Sequence, residues 1–396
     1  MNRKKLLIVD KSFAIGGIQT SLLNMLDLLN DYYDIDLLMY YAEGPLKERL
    51  PAGIKLVRTS WRLETCGMSF RQCLHDGSFK QKIFRIMSTI WTKLFDNRMP
   101  LHFAIKHQDY LGRYDAAIAY HHEAGKNTLT SGFIRVIDTC CDAKIKLSWI
   151  HNDSESNDIS ENFNDKYYKK ADRIVAVSEA VKNGFIKKHP LLADKTIAFH
   201  NFLNYERIDT YSKEACDDRY FSHSFVCFSA CRLEPIKGIP RAITAMAEVL
   251  RKNDILWLIA GDGNDRTVIE KTIEKEKVED KVILLGSQDN PYCFMSRADL
   301  VVLVSYHEAA PMVYLEAQYL GTPVFTTQLA SSVEMLDSSK SIICENNEDG
   351  IGKSFKWLSE NIETVKSMKT ESLENEKNLL DEKIALFDKL LIAENN

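Results

Sequence analysis

The sequence has no Cys-x-x-Cys pair, although it contains nine cysteines. Scattered cysteines in a chain of 396 residues suggest no zinc site and read as reduced thiols, which points to the cytoplasm. Also missing is a Gly-x-Gly-x-x-Gly after the first apolar strand, which disfavours a Rossmann dehydrogenase. The N-terminus holds no long apolar run. Basic Met1-Asn2-Arg3-Lys4-Lys5 leads into Leu6-Leu7-Ile8-Val9, which Asp10 ends. That run is too short for a signal peptide and far too short to span a bilayer. Positive charge is not in excess: the formal net charge is −5, and nothing points to nucleic acid as a partner. What is present is ordinary for a soluble globular protein, 45% hydrophobic and 27% charged residues. The length exceeds one ordinary core, so two domains are expected.

Apolar runs alternate with stretches of helical spacing in both halves. A first buried strand is expected over residues 5–9, followed by a loop that ends in Ile15-Gly16-Gly17-Ile18-Gln19-Thr20. Leu22, Leu23, Leu26 and Leu29 then recur as on one face of a helix. A strand, a glycine pair and a helix let backbone N–H groups approach a phosphate or sugar closely. The alternative is a tight turn needing positive φ. Further strands are expected at 36–41, 114–120, 146–150, 171–177 (ended by a serine cap at Ser178) and 196–199. A polar, charge-dense stretch, Asn204 to His223, separates the halves. Strands then return at 225–230, 256–260, 282–285 and 300–304, with helices near 241–250 and 381–391. This alternation predicts an α/β chain of two parallel-sheet domains.

Polar groups just past the carboxyl ends of parallel strands face the ligand crevice of an open α/β sheet. His151, in His151-Asn152-Asp153, is therefore a candidate acid/base or sugar contact. His121-His122-Glu123 also follows a strand, but adjacent strand side chains point to opposite faces, which argues against a metal there. Asp34 and Asp36 read as a solvated strand start. From Phe79 onward apolar residues recur at helical spacing with basic residues between them. Seven Lys and Arg against Asp96 and Asp109 give residues 80–113 a net charge of +5. A basic amphipathic stretch with Trp and Phe suits an anionic membrane surface, expected through residues 79–113. The alternative is a core-facing helix with a solvated basic face.

The densest signal is Asp299 to Thr327. Leu300-Val301-Val302-Leu303-Val304 reads as a strand buried on both faces. Pro311 stands where a helix would begin, and Gly321-Thr322-Pro323 stops that helix. Glu308 and Glu316 frame its start, and Glu316 is a charge in an otherwise apolar run that some polar group must meet. Arg232, Lys237 and the helix start at Pro311-Met312 all fall past strand ends of the second half. They should share a crevice in which fixed positive charge and free N–H donors hold a diphosphate.

With these residues in place, the sequence resembles the family-four glycosyltransferases, retaining nucleotide-sugar enzymes of GT-B fold. The resemblance rests on Glu308 and Glu316, with seven residues between them that include a proline, and on the Gly16-Gly17 loop. His151, Ala-Asp-Arg-Ile-Val-Ala-Val-Ser at 171–178, Arg232-Leu233 and Lys237-Gly238 support it. It implies two Rossmann-like parallel-sheet domains facing across a cleft. Residues 1–205 would bind the acceptor, 206–378 the nucleotide-sugar, and 379–396 would form a C-terminal helix packing back on the first domain. By similarity, Glu308 contacts the donor sugar and Glu316 the ribose. Arg232 and Lys237 hold the diphosphate, helped by backbone N–H groups near Pro311, Met312 and Val313. Gly17, with Gly16, lets the N-terminal loop close, His151 sits beside the transferred sugar, and Gln288 lies near the base pocket. The catalytic set is Glu308, His151, Arg232 and Lys237, with no metal and no cofactor beyond the donor, for which UDP is the expected nucleotide. The implied activity is hexosyl transfer to a lipid-linked or polysaccharide acceptor in capsule, exopolysaccharide or lipopolysaccharide assembly. The expected place is the cytoplasm, peripheral on the inner face of the plasma membrane. The rivals are a GT-B epimerase or phosphorylase and a non-catalytic sugar-nucleotide-binding subunit. Two departures stand out. The family's Glu-Gly-Phe-Pro is Glu308-Ala309-Ala310-Pro311 here, which removes loop freedom and an aromatic wall beside the donor sugar. Cys231 replaces the usual glycine before Arg-Leu.

Overall fold

The apolar runs become two separate parallel sheets, each within its own compact unit. The computed structural model describes residues 3–152, 163–371 and 376–392, so Asp153 lies outside the described residues. One unit extends to Phe202 and takes in the chain from Leu379, and the other is Leu203–Asn378.

The first unit holds β1 (Lys5–Ser12), β2 (Asp34–Tyr41), β3 (Lys55–Leu56), β4 (Arg113–Ala119), β5 (Asp142–Ile150), β6 (Arg173–Ala176) and β7 (Thr196–Ala198). They pair in parallel in the order β3-β2-β1-β4-β5-β6-β7. A sheet covered on both faces needs near-continuous apolar strands, and Leu6 to Val9 and Ala116 to Ala119 are fully buried. Strand order reverses between β1 and β4, which opens a crevice past their carboxyl ends. Asp36 departs from the solvated strand start expected of it. It is buried, 3.1 Å from Lys5 Nζ, and accepts from the Tyr114 hydroxyl at 2.8 Å. Only such partners make a carboxylate tolerable there.

The second unit holds β8 (Phe225–Ala230), β9 (Ile255–Ala260), β10 (Val282–Gly286), β11 (Leu300–Leu303), β12 (Val324–Thr327) and β13 (Ser341–Cys344). Their order is β10-β9-β8-β11-β12-β13, again parallel, with the reversal between β8 and β11. Alternate residues go to opposite faces. Phe225, Cys227 and Trp257 enter one core, while Val226, Phe228, Leu256 and Leu258 enter the other. The polar stretch expected to separate the halves contains a helix of this unit, Tyr205–Ser212. Its few apolar side chains, Tyr205, Ile208 and Tyr211, all turn to the second core.

The helix Glu376–Leu390 contributes to the first unit. Phe387 is fully buried, with ring centroids 5.7 Å from Tyr33, 6.4 Å from Trp149, 6.2 Å from Phe199 and 5.9 Å from Phe202. Lys383 lies 4.2 Å over the Phe199 ring, and burial pushes its pKa down to about 8. Truncating Phe387 removes the ring that joins these four aromatics. Urea unfolding of Phe387→Ala is expected to show a loss of about 3–5 kcal/mol. A loss within error of zero would mean that the tail does not belong to this core.

Candidate active site

The switch point of the second sheet gathers the charges singled out in the sequence. After β8 the chain passes through a short 3-10 turn, Pro235–Lys237, and Gly238 then starts the helix Ile239–Lys252. Gly238 has φ 65°, and a Cβ there would lie 2.6 Å from the Val304 carbonyl oxygen. Only glycine lets the turn close so tightly on the end of β11. Lys237 thereby faces the loop after β11, and its Nζ lies 2.5 Å from Glu308 Oε1. Ser305 Oγ donates to the same oxygen at 2.6 Å, and Ser331 Oγ donates to the Glu308 carbonyl at 2.9 Å. The loop is tied from two further sides. Thr327 Oγ1 donates to the Ser305 carbonyl at 2.8 Å. Arg241 donates to the Val304 carbonyl at 2.8 Å and to Asn346 Oδ1 at 2.7 Å, and its guanidinium lies 3.6 Å over the Tyr306 ring. Ser305, Ser331, Arg241 and Asn346 were not singled out in the sequence. A serine just past a buried strand and an arginine inside an amphipathic helix carry no local signal of this role.

The helix Met312–Tyr319 begins one residue later than expected. Pro311 is its cap, in extended backbone, and no side chain caps the start. The Met312 and Val313 N–H groups are therefore donors without a side-chain acceptor, at the positive end of the helix dipole. Glu316 is buried and accepts from the Tyr292 hydroxyl at 3.0 Å, so protein meets part of its polar demand. Arg232 is half exposed and pairs with Glu234 at 2.8 Å rather than with Glu308. Gln288 folds onto its own loop past β10, two strands from β8, donating to the Leu285 carbonyl at 2.8 Å.

The first unit has its own polar group at its switch point. Asp10, fully buried in β1, pairs through Oδ1 with His121 Nδ1 at 2.8 Å, and its Oδ2 has no hydrogen-bond partner among the described residues. His121 and His122 lie beyond the end of β4, where strand alternation no longer applies. Their rings stack at 4.9 Å, which corrects the expectation of opposite faces. His122 Nε2 meets the Asn152 amide at 2.8 Å. Glu123 is structural: it accepts from the Gly132 and Ile134 N–H groups at the start of the helix Phe133–Thr139. His151 is buried, and its Nε2 donates to the Tyr120 carbonyl at 2.9 Å, leaving Nδ1 as the acceptor. Gly16 is extended at φ 176° and Gly17 is helical, so the positive-φ explanation of the pair fails. A Cβ on Gly17 would meet nothing within 4 Å, so the helix start has open space beside it.

Burial, reinforced by His121, pushes the His151 pKa down to about 3, and burial also holds His122 well below its usual value. The unfolded chain takes up a proton at each near pH 6.5, whereas the folded chain refuses it. For His151 this contribution to stability is therefore complete above about pH 6.5 and is lost as pH falls toward 3, at about 1.4 kcal/mol per pH unit, and His122 acts in the same direction. In urea unfolding at stepped pH, His151→Gln is expected to shed one proton's worth of that slope. An unchanged slope would show that His151 is charged in the folded state.

Residues 220–374 match the family described as Glycosyl transferases group 1, a span that includes Arg232, Lys237, Glu308 and Glu316. The chain is 25% identical over 229 residues to the N-acetylgalactosamine-N,N'-diacetylbacillosaminyl-diphospho-undecaprenol 4-alpha-N-acetylgalactosaminyltransferase of Campylobacter jejuni, covering 57% of this chain and 59% of that protein. It is 29% identical over 174 residues to the lipopolysaccharide core biosynthesis glycosyltransferase LpsD of Rhizobium meliloti, covering 42% and 50%. The chain spans less than two thirds of the length of the curated relatives it matches. Among solved structures, Anabaena HepE in complex with UDP and glucose aligns with a TM-score of 0.66 at 16% identity, over 98% of each chain. That likeness is one of fold, and it agrees with the two-domain Rossmann-like α/β architecture. The matched residues all fall within the second unit, Leu203–Asn378.

Proposed function

We propose that the protein is a retaining glycosyltransferase. It moves a hexose-type sugar from a nucleoside-diphosphate sugar, with UDP as the expected nucleotide, to a lipid-linked or polysaccharide acceptor. It works in cell-surface glycan synthesis, in the cytoplasm and peripherally on the inner face of the plasma membrane. The observation that carries this reading is the Lys237–Glu308 pair, set at the switch point beside an uncapped helix start. Without a donor, the ammonium and the carboxylate neutralise each other. A donor diphosphate would draw the ammonium and the Met312 and Val313 N–H groups, stabilising the charge that develops on the leaving phosphate. The released Glu308 carboxylate would accept from hydroxyls of the transferred sugar, while Glu316 would take the ribose and Arg232 would turn from Glu234 to the diphosphate. The departing phosphate itself would assist the acceptor hydroxyl, with no protein nucleophile. His151 could serve as a hydrogen-bond acceptor for a sugar hydroxyl through Nδ1, not as an acid at neutral pH. The acceptor class is supported by the diphospho-undecaprenol in the name of the Campylobacter relative, and the nucleotide by the UDP in the Anabaena structure.

A thermal-shift series with UDP-, GDP- and ADP-sugars tests the donor. A true donor at about 100 times its Kd adds about 2.7 kcal/mol to the folded state and raises Tm. No shift with any of them sinks the reading. Glu308→Ala and Lys237→Ala are each expected to lower turnover by about 10²–10³-fold or more while the protein stays folded. Turnover within a few-fold of wild type in both would overturn the assignment.

A further inference from the structure

An amphipathic surface helix turns its apolar stripe toward the protein core. The helix Phe79–Leu94 does the reverse. Its buried side chains are Gln81, Ser88 and Thr92. Phe79, Ile83, Ile86, Met87, Ile90 and Leu94 face outward, with Phe79 77%, Met87 65% and Leu94 70% exposed. At ~100° per residue, these six fill an arc of about 100°, opposite the three buried polar residues. The orientation is held by polar anchors. Gln81 caps the helix with Ser78 and donates to Glu64 at 3.0 Å, and Arg85 donates to the Thr65 carbonyl at 3.1 Å. The apolar surface extends through exposed Trp91 to Phe95 just past the helix, and their ring centroids lie 4.7 Å apart.

An outward apolar face of this kind marks a contact surface, and its charged rim says what covers it. On the same helical projection, Lys80 borders the apolar arc on one side and Lys82 and Lys93 border it on the other. Asp96 is the sole acidic residue from 79 to 98, and it is paired with Arg98 at 2.5 Å. A second copy of this chain would set one lysine rim against another. An anionic bilayer satisfies both features at once: the apolar face enters the boundary of the acyl chains, and the lysines meet lipid phosphates. We propose that the helix Phe79–Leu94 is an interfacial docking helix for an anionic lipid surface, lying in the membrane plane. This deepens the proposed function by naming the surface that would bring the enzyme to a lipid-linked acceptor.

Flotation with phosphatidylcholine vesicles, with and without phosphatidylglycerol, tests it. Neither donor nor acceptor is needed, so its failure is separate from a failure of the donor thermal-shift series. Wild-type protein is expected to float with the phosphatidylglycerol vesicles at low salt and much less with phosphatidylcholine alone. The double variant Ile83→Glu, Ile90→Glu is expected to lose flotation and keep the wild-type Tm, because both side chains are exposed on the outward face. Lys80→Glu, Lys82→Glu and Lys93→Glu are each expected to weaken binding roughly fivefold or more. Three outcomes overturn the proposal: no flotation of wild-type protein at low salt, flotation unchanged in the double variant, or a dimer in sedimentation that the double variant dissolves. A lowered Tm in the double variant also overturns it, since the face would then be packed against protein.

Discussion

A parallel sheet covered on both faces leaves polar chemistry one place to go, the ends of its strands. Charges inside such a sheet would lie among Leu, Val and Ile side chains with no water to hold them. Both sheets of this chain obey that constraint. Lys237 and Glu308 come just past β8 and β11, and His121 and His151 come just past β4 and β5. Asp10, still within β1, pairs with His121, which lies past the end of the neighbouring strand. In each sheet the pairing occurs where strand order reverses and the two following loops part. The Lys237–Glu308 pair follows from this geometry, because the tight turn at Gly238 against Val304 leaves the ammonium facing the carboxylate.

The neighbours of that pair show how a loop rich in alanine stays ordered. Ala309 and Ala310 offer no bulky side chain to pack. The loop before them is instead fixed through backbone carbonyls: Val304 by Arg241, Ser305 by Thr327, and Glu308 by Ser331. These ties come from three other elements, so the carboxylate is positioned before any ligand arrives. Preorganised charge of this kind is what an electrostatically driven transfer requires.

Much of this was legible in the sequence because its signals are local. The β-branched run after Asp299, the proline at the helix start and the Ser178 cap each act within a few residues. Lys237-Gly238 and Glu308 could be placed past strand ends for the same reason. Arg241, Asn346 and Ser331 could not, since their partners lie between 23 and 105 residues away and depend on how strands are ordered in the sheet. β13 escaped notice as a four-residue edge strand, Ser341–Cys344, paired on one side only. Asp36 was misread because a charge at a strand start looks solvated until Lys5 and Tyr114 on other strands close over it.

The helix Phe79–Leu94 marks a deeper limit. Periodicity identifies two faces of a helix and says nothing about which one is inside. Burial of a large aliphatic or aromatic side chain is worth about 1.5–3 kcal/mol, so a rolled helix with its six apolar residues inward would seem the better solution. Rolling it, however, would detach Gln81 from Glu64 and Arg85 from the Thr65 carbonyl, leaving their partners without those bonds. The Ser78–Gln81 cap and the bonds to Glu64 and Thr65 agree on one orientation, and that agreement is what keeps the apolar face turned outward.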